Sequence, residues 1–316
     1  MLIPQPRQHI MVRPKRLRVG ATLEKLSDEE RKSLTHGHFW LSGPQRSVYR
    51  LALDKLNEAS IPYVVAGAYA IYEHTGIYRQ TKDLDLFFEP NDVLPAAHVL
   101  RAAGFEMHLE QAHWLAKAFK DDTMIDLIYG MGNGVSFIDS GWHEHAHEGT
   151  LAGAPVKIAP VEELIWHRLF IHERHRQDMS DILHLILTQG DTLEWDRLVK
   201  RAGPHWPLLL AQLHLFHYVY PGFRSRVPRQ VLETLLDRAR EEIGRDDHDE
   251  ALTNGPLISR FSFAIDVQEW GFHDTRTERI RRALNSDPVR KIINDGVWTP
   301  TSQPHRDAQT AIEAAG

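Results

Sequence analysis

Two aspartates separated by one leucine, Asp83-Leu84-Asp85, open the apolar run D-L-D-L-F-F at 83–88. Residues two apart on a strand point to one face, so these carboxylates stand side by side while Leu84 and Leu86 face the other way. Adjacent carboxylates repel unless something positive lies between them, and oxygen-ligated Mg²⁺ is the usual occupant of such a site. A third, Asp126, takes the polar position of M-I-D-L-I-Y at 124–129, where an isolated charge is costly. Three carboxylates on neighbouring strands suit phosphoryl or nucleotidyl transfer. That chemistry asks for metal ions that neutralise developing charge and hold attacking and leaving oxygens in line.

The complementary half is a small-residue turn, Ala66-Gly67-Ala68, which ends the apolar run at 63–65. Glycine where a strand turns into a helix lets a phosphate approach the backbone, and the free N–H groups of the first helical turn attract anions. Arg79 and Lys82, just ahead of Asp83, are candidates to hold outer phosphates or balance the carboxylates. Further on, Asp178 and Asp181 are three apart and share a helix face next to Arg174 and Arg176. Asp178 reads either as a substrate contact or as part of a surface ion pair and helix cap.

One other motif competes. His143-Glu144-His145-Ala146-His147 matches H-E-x-x-H, in which two histidines bind zinc and the glutamate is general base. That geometry needs a stable helix, and Gly141 and Gly149 leave room for only about two turns. A zinc hydrolase is therefore a remote alternative, with a polar helix or loop as the plain reading.

Several elements must position these residues. Val48, Leu51, Leu53 and Leu56 recur at helical spacing over 45–60, and Pro62 forbids continuation. Strands are expected at 63–66 and 84–88, with a short helix at 68–74 between them. Asn91 is placed to cap a helix that Gly104 stops. Strand-like pieces at 105–110, 113–119 and 123–129 leave no room for long helices, and one more short strand is expected at 155–158, so the sheet is mixed. From Pro160 the pattern turns helical: 160–172, 179–188, 194–201, 205–218 and 228–243. The expected class is α+β.

Composition narrows the function classes. The 316 residues carry a formal net charge of -6, which gives no reason to expect DNA or a membrane as partner. No cysteine is present, which suits a reducing cytosol and excludes disulfides and thiolate metal sites. The most apolar stretch, 206–220, contains Gln212, His214 and His217 and is too short to span a bilayer. Arg7, Arg13, Lys15, Arg16 and Arg18 lack the apolar run of a secretory signal; Ser27 and Glu30 fit a capping box, and a frayed tail is expected from His305.

The small-residue turn, the helix after it, H-T-G-I-Y-R-Q-T-K-D-L-D-L-F at 74–87, I-D-L-I-Y-G-M-G-N-G at 125–134 and R-Q-D-M-S-D-I-L-H-L at 176–185 together resemble the DNA-polymerase-beta-type nucleotidyltransferase superfamily. They are similar in particular to a bacterial group described only as nucleotidyltransferase-like. The resemblance implies a nucleotidyltransferase-type α/β domain over 45–159, after an extension at 1–44. A helical domain at 160–245 and a mixed region at 246–316 would follow. It also implies that Asp83 and Asp85 bind two Mg²⁺ ions with an NTP, that Asp126 completes the site and helps deprotonate the acceptor, and that Ala66-Gly67-Ala68 faces the triphosphate. The acceptor is open: a small molecule, a protein hydroxyl or an RNA end. The superfamily pattern has Gly-Gly or Gly-Ser at the turn, whereas here Ala66 precedes Gly67 and Ala68 follows it. A binding or interaction module of the same fold with weak or no catalysis is the alternative expectation.

Overall fold

Helix α1 (Gly43–Glu58) starts with a reciprocal cap. Gln45 N–H donates to Ser42 Oγ at 3.4 Å and Ser42 N–H donates to Gln45 Oε1 at 3.3 Å. Its buried residues Val48, Tyr49, Ala52, Leu53 and Leu56 fall at helical spacing. The computed structural model describes residues 17–19, 41–79, 81–174, 176–243 and 251–300. The expected Ser27/Glu30 cap, Arg7, Arg13, Lys15, Arg16 and the tail from His305 lie outside these residues.

Strand β1 (Leu17–Val19) pairs in parallel with β3 (Ile77–Arg79). After Pro62, β2 (Val64–Val65) enters the main sheet and turns directly into α2 (Gly67–Thr75), which Gly76 ends in a left-handed conformation, φ 71°. The other main strands are β4 (Asp83–Phe87), β5 (Glu106–Gln111), β6 (Leu115–Lys120), β7 (Thr123–Ile128), β8 (His147–Leu151) and β9 (Ala154–Ile158). Their order is β5-β6-β7-β4-β2-β9-β8. The β4–β7 and β2–β9 pairs are parallel and the remaining neighbours antiparallel, which makes the sheet mixed. Between β4 and β5 lies α3 (Val93–Ala102). Its N-cap residue is Asp92, without a side-chain bond, so the cap expected from Asn91 is not the one used.

The helices that follow are α5 (Val161–Arg168), α6 (Met179–Gln189), α7 (Trp195–Ala202), α8 (Trp206–Val219) and α9 (Arg229–Glu242), with the single turn α4 (Gly141–Glu144) ahead of β8. The helix expected to run to 172 ends at Arg168 instead. A hairpin of β10 (His172–Glu173) and β11 (Arg176–Gln177) folds back so that Asp178 N–H donates to Ile171 O at 3.3 Å. Beyond α9, β12 (Leu252–Thr253) pairs in parallel with β13 (His273–Asp274) among four short helices, α10 (Gly255–Ile258), α11 (Ala264–Gln268), α12 (Thr275–Leu284) and α13 (Asp287–Asn294). One contiguous apolar core runs from Leu41 to Val297. The architecture is α+β, a mixed sheet flanked by helices and followed by helices, as the sequence pattern predicts. Among the described residues no helix is long and apolar enough to cross a membrane.

Two acids at the start of α5 tie the helical half together. Glu162 and Glu163 are 5% and 1% exposed. Arg197 Nη1 donates to Glu163 at 2.5 and 2.6 Å, its Nη2 to Glu162, and Arg201 reaches Glu163 at 3.0 Å. Removing one partner of a buried pair strands the other charge, at a cost of about 3–5 kcal/mol. Arg197→Met should lower stability to urea by about that amount, whereas Arg229→Met, on the exposed pair with Glu233, should shift it by under about 1 kcal/mol.

Candidate active site

The alternation of β4 does what the D-L-D spacing requires. Leu84 and Leu86 are buried in the core, while Asp83, Asp85 and Phe87 line a cleft on the other face. On the adjacent parallel strand β7, Asp126 sits directly opposite Asp85 in register. The cleft has a volume of about 840 Å³, and its walls also include Gly67 and Ala68.

Gly67 opens α2 with φ +56°, a backbone conformation that L side chains rarely adopt. A Cβ there would overlap Asp85 Oδ2 and stand 2.6 Å from its Cγ. The Asp85 carboxylate therefore lies against the N-terminus of α2, where partial positive charge favours an anion. Ala66 anchors the turn by donating its N–H to Asp85 O at 3.0 Å. Burial, and then the charges of Asp83 and Asp126, push the Asp85 carboxyl up to about 7. Asp83 accepts from the Thr81 hydroxyl at 2.5 Å. Behind the pair, the Tyr49 hydroxyl is buried without a hydrogen-bond partner among the described residues, and burial, then the charges of Asp83, Asp85 and Asp126, push its pKa up.

Cations are distributed unevenly around these acids. Lys117 of β6 is in register with Asp126 and its Nζ donates to Asp126 Oδ1 at 2.7 Å. Burial raises the Asp126 pKa, against the Lys117 hydrogen bond and charge. Arg79 lines the cleft but is clamped to Asp181, with Nη1 donating to Oδ2 at 2.9 Å. Lys82 is exposed and stands apart from the cleft lining. Asp178 is 5% exposed, so its ion pairs are interior rather than surface, and it caps no helix through its side chain. Arg176 donates to both its oxygens at 3.2 Å, and Arg168, also 5% exposed, lies 3.8 Å from Asp178 and 3.3 Å from Asp181. Burial alone would raise the Asp178 pKa; the Arg176 hydrogen bonds and the charges of Arg176 and Arg168 hold it below the usual range.

Thus Asp83, Asp85, Asp126, Gly67, Ala68, Arg79 and Asp178 share one cleft, while Ala66 lies behind it and Lys82 beside it. Sequence reasoning missed Lys117, Arg168 and, as a cleft cation, Arg176. Lys117 was legible in one respect: it is the charged residue in L-A-K-A-F, the same odd-one-out signal that marks Asp126. For a hard dication, Asp83 and Asp85 present the right donors: a paired set of oxygens, one of them on a desolvated carboxyl without an ion-pair partner among the described residues. Asp126 is engaged by Lys117, and among the described residues no three or more His, Asp or Glu side chains converge as metal ligands. The H-E-x-x-H segment does not form the helix a zinc site needs, because α4 ends at Glu144 and His147 opens β8.

Two outcomes follow from the packing of Asp85. A carboxyl whose folded pKa lies above its unfolded value binds more protons when folded, so its contribution to stability falls as pH rises from about 4 to about 7. In metal-free buffer, Asp85→Asn should therefore flatten the loss of melting temperature between pH 5 and pH 8 relative to wild type. Gly67→Ala should destabilise wild type by more than the ~1–3 kcal/mol of left-handed strain. In an Asp85→Ala background only the strain should remain, and a double-mutant cycle in urea measures the difference.

The sequence profile of a family described as "Uncharacterised nucleotidyltransferase" matches residues 53–218. No curated protein matches the chain. Among solved structures, the antibiotic-resistance factor ANT(2'')-Ia is 18% identical, with TM-score 0.40 over 56% of this chain and 100% of that one. The lincomycin-bound lincosamide antibiotic adenylyltransferase LnuA is 14% identical, with TM-score 0.33 over 44% and 94%. JHP933 from Helicobacter pylori is 14% identical, with TM-score 0.35 over 64% and 97%. The profile covers more than half of the 316 residues, all three carboxylates and the turn among them, and by that match the chain belongs to the uncharacterised nucleotidyltransferase family.

Proposed function

We propose that the chain transfers a nucleoside monophosphate from an NTP to an acceptor hydroxyl, releasing pyrophosphate, with Asp83, Asp85 and Asp126 at the reacting centre. One observation carries this reading: Asp85 and Asp126 face each other across the β4–β7 pair, Asp83 stands beside them, and all three open on one cleft. The acceptor oxygen attacks the α-phosphorus as the bond to the β-phosphate oxygen breaks, and the acceptor proton passes to Asp126. Asp83 and Asp85 would hold Mg²⁺, which neutralises charge on the transferring phosphoryl group. Gly67 lets the chain turn closely at the α2 N-terminus, where the triphosphate would lie with Ala68. Arg176, whose side chain is 61% exposed, is the cation placed to meet it.

The far wall of the cleft comes from beyond the family match. Pro256, Leu257, Phe261 and Arg276 line the cleft together with Trp114 and Met131, and Asn133 donates to Leu257 O at 2.8 Å to hold that wall in place. This wall is where we assign choice of acceptor among small molecules, proteins and RNA ends.

The alternative, a nucleotide-binding module without catalysis, draws on Ala66 and Ala68, which offer the phosphates no hydroxyl. Both readings expect an NTP with Mg²⁺ to raise the melting temperature, as a ligand at about 100 times its Kd adds about 2.7 kcal/mol. Only the enzyme reading expects labelled NTP to be turned over with cell extract as acceptor source. Asp83→Ala and Asp126→Ala should lower that turnover by about 10²–10⁴-fold. Equal rates in wild type and both variants would leave the binding module standing.

A further inference from the structure

We propose that Lys117 is a built-in cation holding Asp126 out of the metal shell, so that the site takes one divalent ion, on Asp83 and Asp85, rather than two. This rests on the nucleotidyl-transfer reading and sharpens it.

The argument begins with register. Asp85, Asp126 and Lys117 form one row across three adjacent strands, β4, β7 and β6. The ammonium is 2.7 Å from Asp126 Oδ1, and the two side chains are only 16% and 12% exposed. Lys117 is flanked along β6 by buried Ala116 and Ala118, so it carries the only charge of that part of the strand. A carboxylate so paired is poorly disposed to a dication, because ion and ammonium would repel across one group.

The ion-pair partners give the same answer. The guanidiniums of Arg79, Arg168 and Arg176 are committed to Asp178 and Asp181. Asp126 has Lys117. Asp83 and Asp85 have no ion-pair partner among the described residues, so they are the carboxylates of the row left open to a dication. Lys117 is thus a positioning residue: it keeps Asp126 directed at the acceptor proton rather than at a metal.

Counting bound Mn²⁺ by electron paramagnetic resonance tests this, using the full chain saturated with a non-hydrolysable α,β-methylene NTP analogue. Wild type should hold one Mn²⁺ per chain and Lys117→Arg one, while Lys117→Met, which frees Asp126, should hold two. Two ions on wild type, or one on Lys117→Met, overturns the inference and leaves nucleotidyl transfer intact. No bound ion on wild type overturns the metal-dependent reading, and this inference with it. Should Lys117→Met fail to fold, Asp126→Asn decides. Its Mn²⁺ affinity should stay within twofold of wild type, and a loss of tenfold or more shows that Asp126 is a ligand.

Discussion

Repulsion among three carboxylates on two adjacent strands is the constraint around which the rest of this molecule is arranged. Parallel pairing of β4 with β7 sets Asp85 opposite Asp126, and the two-residue period sets Asp83 beside Asp85. Burial makes the arrangement worse, which is why Asp85 is pushed up to about 7. Each neighbouring element answers that strain differently. The α2 N-terminus meets Asp85 through a glycine that leaves room for its oxygen, β6 supplies Lys117 to Asp126, and Thr81 supplies a hydroxyl to Asp83.

This also accounts for the unusual turn. With Gly67 in the left-handed region and its missing Cβ overlapping the Asp85 carboxylate, glycine is demanded by the protein's own side chain before any phosphate arrives. Ala66 and Ala68 are under no such demand. Ala66 is buried at the strand end and contributes its N–H to Asp85 O, a task for which its side chain is indifferent. A hydroxyl at either position would serve a ligand, not the fold.

What the sequence made legible divides along the range of the interactions. Six strands of the central sheet, the helix after the turn and the shared face of Asp83 and Asp85 follow from local periodicity and are found close to where the pattern puts them; the edge strand β8, over a segment that reads as polar, was not expected. The α5 end was not legible. The run of apolar residues to 172 continues a helical pattern, but a buried contact between Arg168 and Asp178, ten residues away, coincides with a hairpin that no local signal announces. The same holds for Arg79. Its position before Asp83 suggests a phosphate ligand, yet its partner, Asp181, is on a helix that sequence spacing could not place against β3.

The Asp178–Asp181 clamp is the consequence that reaches furthest. Three guanidiniums share two carboxylates there, so the clamp carries one net positive charge, with Arg168 and Asp181 sealed inside and Arg176 facing the opening. An interior ion cluster of this kind is weak support for stability, because desolvation offsets much of the attraction. What it does achieve is placement: it joins α5, β3, β11 and the start of α6 and leaves the excess charge at the cleft; against burial, the Asp178 hydrogen bond and charge, and after them the charges of Asp85 and Asp83, raise the Arg176 pKa. An anion entering between Arg176 and the α2 N-terminus would meet positive potential on both sides, with the carboxylate row beneath it. A second cation at Asp126 would meet Lys117. The two halves of the cleft are therefore unlike in charge, and on the proposed reading one receives an anion with its counter-ion and the other a neutral hydroxyl.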